Sequence, residues 1–183
     1  MSRVRIVGGE WKRRFVTFSD APGVRPTPDA VRETLFNWLG QDLTGLACLD
    51  LFAGSGVLGF EAASRGASLV TLVERDVRAF ASLESNAIVL EGKAPKGRLE
   101  LIRADALKFV SRASRRYDLL FLDPPYRQGW IERIEPCLPG VLASDARIYA
   151  EAEHPIERIG VWETVRGGQS GQVFYHLLEA NSA

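Results

Sequence analysis

Only two cysteines, Cys48 and Cys137, occur in the 183 residues, and each is embedded in apolar sequence. Two isolated cysteines make neither a metal-ligand pattern nor a disulfide framework, and read best as buried thiols of a cytoplasmic protein. Long hydrophobic runs are missing too. None approaches the ~18 residues of a membrane span, and the basic start Met1-Ser2-Arg3-Val4-Arg5 lacks the apolar stretch of a secretory signal. Net charge is absent, with 23 basic residues against 23 acidic ones, which argues against a non-specific coat for nucleic acid. No internal repeat or low-complexity segment appears. What remains, 46% hydrophobic and 25% charged, is the composition of one ordinary globular domain with a small appendage.

The charge is balanced but unevenly spread. Arg3, Arg5, Lys12, Arg13 and Arg14 crowd the beginning against Glu10 alone, while Glu151, Glu153, Glu157 and Glu163 lie toward the other end. A basic patch of this kind can steer a polyanion although the molecule as a whole is neutral; a plain solvated surface is the competing reading.

Residues 3–7 and 14–18 read as two short strands around Gly8-Gly9-Glu10-Trp11, a small hairpin. The segment 21–26 reads as a loop by its prolines and glycine. A helix then starts with Thr27 as N-cap, Pro28 at its first position and Asp29 in its first turn, and Gly40 ends it. From there strands alternate with helices. Strands are expected at 47–52, 69–74, 99–103, 118–122 and 147–151, and helices at 57–64, 77–90, 106–113 and 131–138. Segments 161–166 and 172–179 close the chain as a hairpin turned by Gly167, Gly168 and Gly171. The pattern predicts an α/β protein: a mostly parallel seven-stranded sheet, helices on both faces and an antiparallel closing strand. Residues 1–26 form a basic N-terminal extension and 27–183 the main domain.

Functional groups collect where strands end, the edge at which open α/β sheets hold ligands. The first strand of the alternation runs into Asp50-Leu51-Phe52-Ala53-Gly54-Ser55-Gly56-Val57-Leu58-Gly59, a G-x-G-x-x-G turn that lets backbone approach a ligand. The second ends in Glu74, placed for ribose hydroxyls, and just after the third come Asp105 and Ala106, placed for an adenine amino group. Nicotinamide and flavin folds share the glycines. Asp50 discriminates, because a pyrophosphate over this turn would be repelled by about 4 kcal/mol per charge pair at ~4 Å and an effective dielectric of 20. S-adenosylmethionine has no phosphate and carries two cationic groups, so it suits the acid better. Singly, Asp50 could cap the turn, Glu74 could be a surface acid and Asp105 a helix N-cap; together they point to the cofactor.

The fourth strand runs into Asp123-Pro124-Pro125-Tyr126. Two prolines stop the strand because neither donates a ladder hydrogen bond. Asp123 and the Pro124 carbonyl can accept both hydrogens of an exocyclic amine on a nucleobase, localising its lone pair toward a methyl donor, while Tyr126 stacks on the ring. The work is then orientation plus stabilisation of developing positive charge. A paired base cannot reach such a pocket, so the nucleotide must be unpaired or flipped out.

These motifs resemble the class I S-adenosylmethionine-dependent amino-methyltransferases. With Arg5-Ile6-Val7-Gly8-Gly9, Arg25-Pro26-Thr27-Pro28-Asp29, Val31 to Leu39, Ser64-Arg65-Gly66-Ala67 and Gly171-Gln172-Val173, the chain is similar to the bacterial 16S rRNA guanine-N2 methyltransferases of the RsmD type over essentially its whole length. The resemblance implies a Rossmann-like fold and methylation of one guanine N2 in the 16S rRNA of the small ribosomal subunit or its assembly intermediate. It implies a cytoplasmic, metal-free enzyme, expected as a monomer. It also places Arg25, Thr27 and Arg32 around the active site. Separately, the basic Lys12, Arg13 and Arg14 are expected to contact phosphate, with Arg5 and Pro125 as further substrate contacts. The family usually has Phe where this chain has Tyr126, and Arg-Gly-Arg where it has Lys12-Arg13-Arg14. Competing readings are an amino-methyltransferase of DNA adenine or cytosine or of protein glutamine, and a non-catalytic RNA-binding assembly factor.

Overall fold

A computed structural model describes residues 1–20, 25–91 and 97–181. Part of the loop expected at 21–26, and most of the segment 91–97, which reads as a polar loop by its sequence, lie outside the described residues. The chain opens with β1 (Ser2–Arg5) and β2 (Phe15–Phe18), paired antiparallel, followed by α1 (Asp29–Leu39). The alternating part comprises β3 (Ala47–Asp50), α2 (Val57–Ser64), β4 (Leu69–Glu74), α3 (Val77–Glu91), β5 (Arg98–Arg103), α4 (Ala106–Val110) and β6 (Tyr117–Leu122). Two short helices, α5 (Trp130–Ile134) and α6 (Leu138–Val141), lead to β7 (Leu142–Ala152), β8 (Arg158–Ile159), β9 (Trp162–Ser170) and β10 (Val173–Ala180). Among the described residues no helix is long and apolar enough to cross a membrane.

The main sheet has the order β5-β4-β3-β6-β7-β10-β9-β8. It is parallel from β5 through β7, and β10 runs antiparallel between β7 and β9. Eight strands stand where seven are expected, the extra one being the two-residue β8 against β9. The closing hairpin turns at Gly171, whereas Gly167 and Gly168 lie inside β9, opposite His176 and Tyr175. A Cβ on Gly168 would sit 2.4 Å from the Tyr175 ring, so close packing explains that glycine. The single helix expected at 131–138 is broken into α5, a 3₁₀ turn at Glu135–Cys137 and α6. Pro136 and Pro139 each lack the N–H that a continuous helix needs.

Strand alternation divides the apolar side chains into two cores. Cys48, Leu119, Phe121, Tyr149 and Leu177 face the hairpin, α1, α2 and α3. Leu49, Leu120, Leu122, Ile148 and Leu178 face α4, α5 and α6. Burial pushes the Cys48 thiol up to about 12, so it is an inert packing group.

The N-terminal extension is locked to α2 by polar contacts. Glu61, fully buried on α2, accepts the backbone N–H groups of Val7 and Gly8 and pairs with Arg32 at 2.8 Å and Arg65 at 3.0 Å. Ser64 accepts the Trp11 N–H at 2.9 Å and donates to the Gly8 carbonyl at 2.6 Å. Gly9 stands so close to the end of α2 that a Cβ would lie 2.0 Å from the Ser64 carbonyl oxygen. The same stretch places Arg13 at φ 73°, a left-handed conformation, in the middle position of Lys12-Arg13-Arg14. The turn therefore keeps a glycine-like backbone although it holds an arginine.

Candidate functional site

The parallel strands bring their carboxyl ends to one edge, and three acids meet there. Asp50 ends β3, Asp123 follows β6 and Glu151 lies near the end of β7. Registers of Asp50 with Phe121 and of Leu122 with Ala150 set them on three neighbouring strands. Alternation turns all three toward the face of Cys48, Phe121 and Tyr149, the side covered by α1 and α2.

Asp50 is almost wholly buried, and its Oδ2 accepts the Gly59 N–H at 3.0 Å. That bond requires the start of α2 to come close, as Gly59 permits. Burial pushes the Asp50 carboxyl up to about 7; Glu74 and Glu151 add to the shift and the Gly59 bond opposes it. Asp123 is held well above the ordinary carboxylate range, first by burial and then by the charges of Glu151 and Asp50. Glu151 is raised by burial against two opposing hydrogen bonds, from the Thr27 hydroxyl at 2.6 Å and the Tyr149 hydroxyl at 2.9 Å. No ion pair among the described residues engages any of the three. The site is a cluster of acids that wants positive charge or a proton.

Around it the glycine turn is shaped as expected. Gly56 sits at φ 77° ahead of α2, where a Cβ would strike Leu83 at 2.4 Å. The Gly54 N–H donates to Glu74 at 2.9 Å, and the other oxygen of Glu74 accepts the Asp76 N–H. Ser55 is buried within the turn, and the partly buried Phe52 packs edge-on against Trp130 at 5.3 Å between centroids. Asp105 is the N-cap of α4, its Oδ1 accepting the Lys108 N–H at 3.1 Å, with Ala106 buried beside it. A groove of about 480 Å³, lined by Arg103, Ala104, Asp105, Lys108, Phe109, Arg112 and Ala113, runs along that flank, apart from the three acids.

In the turn after β6, Pro124 is buried, and Pro125 and Tyr126 are exposed. Burial and the neighbouring Asp123 push the Tyr126 phenol up to about 12, so it stays neutral. Arg25 is exposed, as are Lys12 and Arg13, and Arg14 is half-buried; no ion pair among the described residues holds these cations. Arg5 is exposed and paired with Asp29 at 3.0 Å.

Two expectations change. Thr27 is not the helix cap: α1 begins at Asp29 after Pro28, and the Thr27 hydroxyl is spent on Glu151. Arg32, expected among the residues around the substrate, has its side chain wholly buried, bonded to Thr27 O, Asp29 and Glu61. It positions Thr27 instead. Helix α1 reaches this place because Trp38 stacks on Tyr175 at 5.6 Å and the Leu39 carbonyl accepts from Arg147 at 3.1 Å.

Three residues of the site escaped the sequence reading: Glu151, Tyr149 and Glu61. Glu151 had a signal, an acid closing the apolar run of the strand after Asp123. Glu61 had one also, its i,i+4 spacing to Arg65.

Comparison with known proteins follows the same lines. Residues 4–179 match the family described as Conserved hypothetical protein 95. The protein named Ribosomal RNA small subunit methyltransferase D of Escherichia coli K12 is 38% identical over 97% of this chain and 90% of its own length. Its namesake in Haemophilus influenzae is 37% identical over 96% of this chain and 93% of its own length. The solved structure of yhhF from Escherichia coli superposes with a TM-score of 0.86 at 38% identity, covering all of both chains. A Salinibacter ruber RNA methyltransferase solved with S-adenosyl-L-homocysteine shares the fold, with a TM-score of 0.66 at 15% identity over 87% of this chain and 95% of that one.

Proposed function

The chain belongs to the Conserved hypothetical protein 95 family, and from that premise we propose that it methylates the exocyclic N2 of a guanine in small-subunit ribosomal RNA. The observation that carries this reading is the set of three acids at neighbouring strand ends, paired with no cation among the described residues. It fits a methyl donor with a sulfonium and an ammonium and no phosphate, and an amine that gains positive charge as it reacts. Full-length similarity to proteins named ribosomal RNA small subunit methyltransferase D supports the substrate. Asp50, Phe52, Gly54, Ser55, Gly56, Glu74, Asp105 and Ala106 would hold S-adenosylmethionine, which supplies an electrophilic methyl group.

Asp123 and the Pro124 carbonyl hold the amine by its two hydrogens, and Tyr126 stacks on the base. The two acceptors favour a pyramidal nitrogen whose lone pair is aimed rather than delocalised. Asp123 stabilises the charge that develops there. A carboxyl that prefers a proton is also a fitting acceptor for the proton the product amine must lose. Lys12, Arg13, Arg14 and Arg25 contact phosphate, and Arg5 and Pro125 line the approach. Lys12, Arg13, Arg14 and Arg25 form no ion pair among the described residues and are available for that purpose.

The test is tritiated methyl transfer to undermethylated small subunits, free rRNA and DNA, with mass-spectrometric mapping of the product. N2-methylguanine in small-subunit RNA is the expected result; label on DNA alone would overturn the reading. Asp123→Ala should lower turnover by ~10²–10³ or more while calorimetry still detects cofactor binding. Unchanged turnover would remove Asp123 from the mechanism.

A further inference from the structure

Asp123 and Glu151 differ in how they are held. The last register pair of β6 and β7, Leu122 with Ala150, stands one residue before Asp123 and Glu151, on strands that lie about 4.8 Å apart, and the charge of Glu151 acts on Asp123. One oxygen of Glu151, Oε1, is fixed by two hydroxyls, Thr27 at 2.6 Å and Tyr149 at 2.9 Å. The other, Oε2, takes no hydrogen bond from any described residue. Thr27 comes from a segment more than a hundred residues away, itself held through its carbonyl by Arg32 at 3.0 Å. The carboxyl is thus aimed from two sides and left with one acceptor to spend, next to the group that grips the amine. A buried carboxylate without a cation is costly to keep, and packing alone gives no reason to keep one.

Building on the amine grip above, we propose that Glu151 is a specificity-determining residue: Oε2 accepts the ring N1–H of guanine while Asp123 and Pro124 hold N2. Guanine presents two parallel donors, N1–H and N2–H, and two acids on adjacent strand ends present two acceptors. Adenine and cytosine offer an amine too, but beside it stands a ring nitrogen with a lone pair. A carboxylate oxygen facing that lone pair repels it and gains no hydrogen bond. The motif at Asp123 grips any such amine; Glu151 makes the choice among them. Specificity of this kind is strong because a mismatched base leaves a buried acceptor unpaired.

The experiment uses the full chain and two RNA fragments spanning the mapped nucleotide, one with guanine there and one with 2-aminopurine. The latter keeps the N2 amine but has a lone pair at N1. Wild type should favour guanine by at least ~100-fold in kcat/KM. Glu151→Gln keeps the shape and adds a donor. It should lower kcat/KM on guanine ~10-fold or more and leave 2-aminopurine unchanged or improved. Dissociation constants of the two RNAs, measured with S-adenosylhomocysteine present and no turnover, should shift in the same sense. Thr27→Val, which only loosens Glu151, should shrink the preference part of the way. Equal losses on both RNAs, or no change on either, would make Glu151 a structural acid and overturn the proposal. Should Glu151→Gln melt early, wild type decides alone, since equal use of guanine and 2-aminopurine also overturns it. Failure of the underlying reading looks different: wild type then methylates no guanine in RNA at all.

Discussion

Two clusters of buried charge lie in this molecule, and they are built on opposite principles. Around Glu61 every charge has an answer: two arginines, two backbone N–H groups, and the Phe36 ring under the Arg65 guanidinium at 4.2 Å. Around Asp123 the three acids have hydroxyls and one backbone amide, but no cation among the described residues. The first cluster satisfies itself and holds the hairpin, α1 and α2 together. The second is left incomplete, and its groups respond by preferring protons. Completed charge marks a scaffold here, and uncompleted charge marks a place for something to bind.

The contrast can be broken from the paired side first. Glu61→Ala leaves two buried guanidinium groups and two amides without their acceptor, and should cost about 3–5 kcal/mol in chemical denaturation. A smaller loss would mean that the cluster is not what holds the extension in place. On the unpaired side the sign reverses. Asp50 has its folded pKa raised from 3.8 to about 7, so its stability contribution is fully present below about pH 4 and is lost as pH rises through 7. Asp50→Asn should therefore stabilise the cofactor-free protein at pH 8, by an amount on the order of a few kcal/mol, and leave it little changed at pH 4. It should weaken cofactor binding at the same time. Melting curves at the two pH values check the first point and calorimetry the second; equal effects at both pH values would contradict the linkage.

The N-terminal cations Lys12 and Arg14 supply a third kind of charge, in no ion pair among the described residues and at least partly open to solvent. Neutralising Lys12 and Arg14 should flatten the salt dependence of RNA binding by a slope of roughly 1–2 while melting barely moves. An unchanged slope would leave them as ordinary surface charge. The smallest effect is expected at Arg13. Its φ of 73° costs an L-residue about 1 kcal/mol, so Arg13→Gly should gain roughly 0.5–1 kcal/mol in denaturation, at the loss of one cation. A destabilised variant would show that the arginine side chain contributes more than its backbone costs.

Much of this was legible in the chain. The helix Val57–Ser64 and the fourth and second strands of the alternation are where the apolar pattern puts them, because buried runs between turn residues leave few alternatives. Asp50, Glu74, Asp105 and Asp123 were readable as a series because each ends a strand or follows within two residues of its end. What was not legible depends on pairing across the fold. Glu151 reads as one more acid in an acidic stretch until β7 is laid beside β6. Arg32 reads as a basic residue near an active site until Glu61 is placed opposite it. Thr27 has the right residue type for a cap, yet a buried carboxyl competes for its hydroxyl and wins. The breaks at Pro136 and Pro139 were visible as prolines, and only the continuing apolar pattern argued for one helix.

The position of β10 sets an order on folding. It is inserted between β7 and β9, both of which precede it in sequence. Until residues 173–180 are available, β7 has a bare edge and β9 pairs only with the two residues of β8. Such edges are open to wrong partners until β10 pairs with both strands. Tyr149 and Glu151 face β10 directly, through Leu177 and Tyr175. An emerging chain can thus complete its methyl-donor side early, but the edge that bears Glu151 is finished only by one of its latest strands.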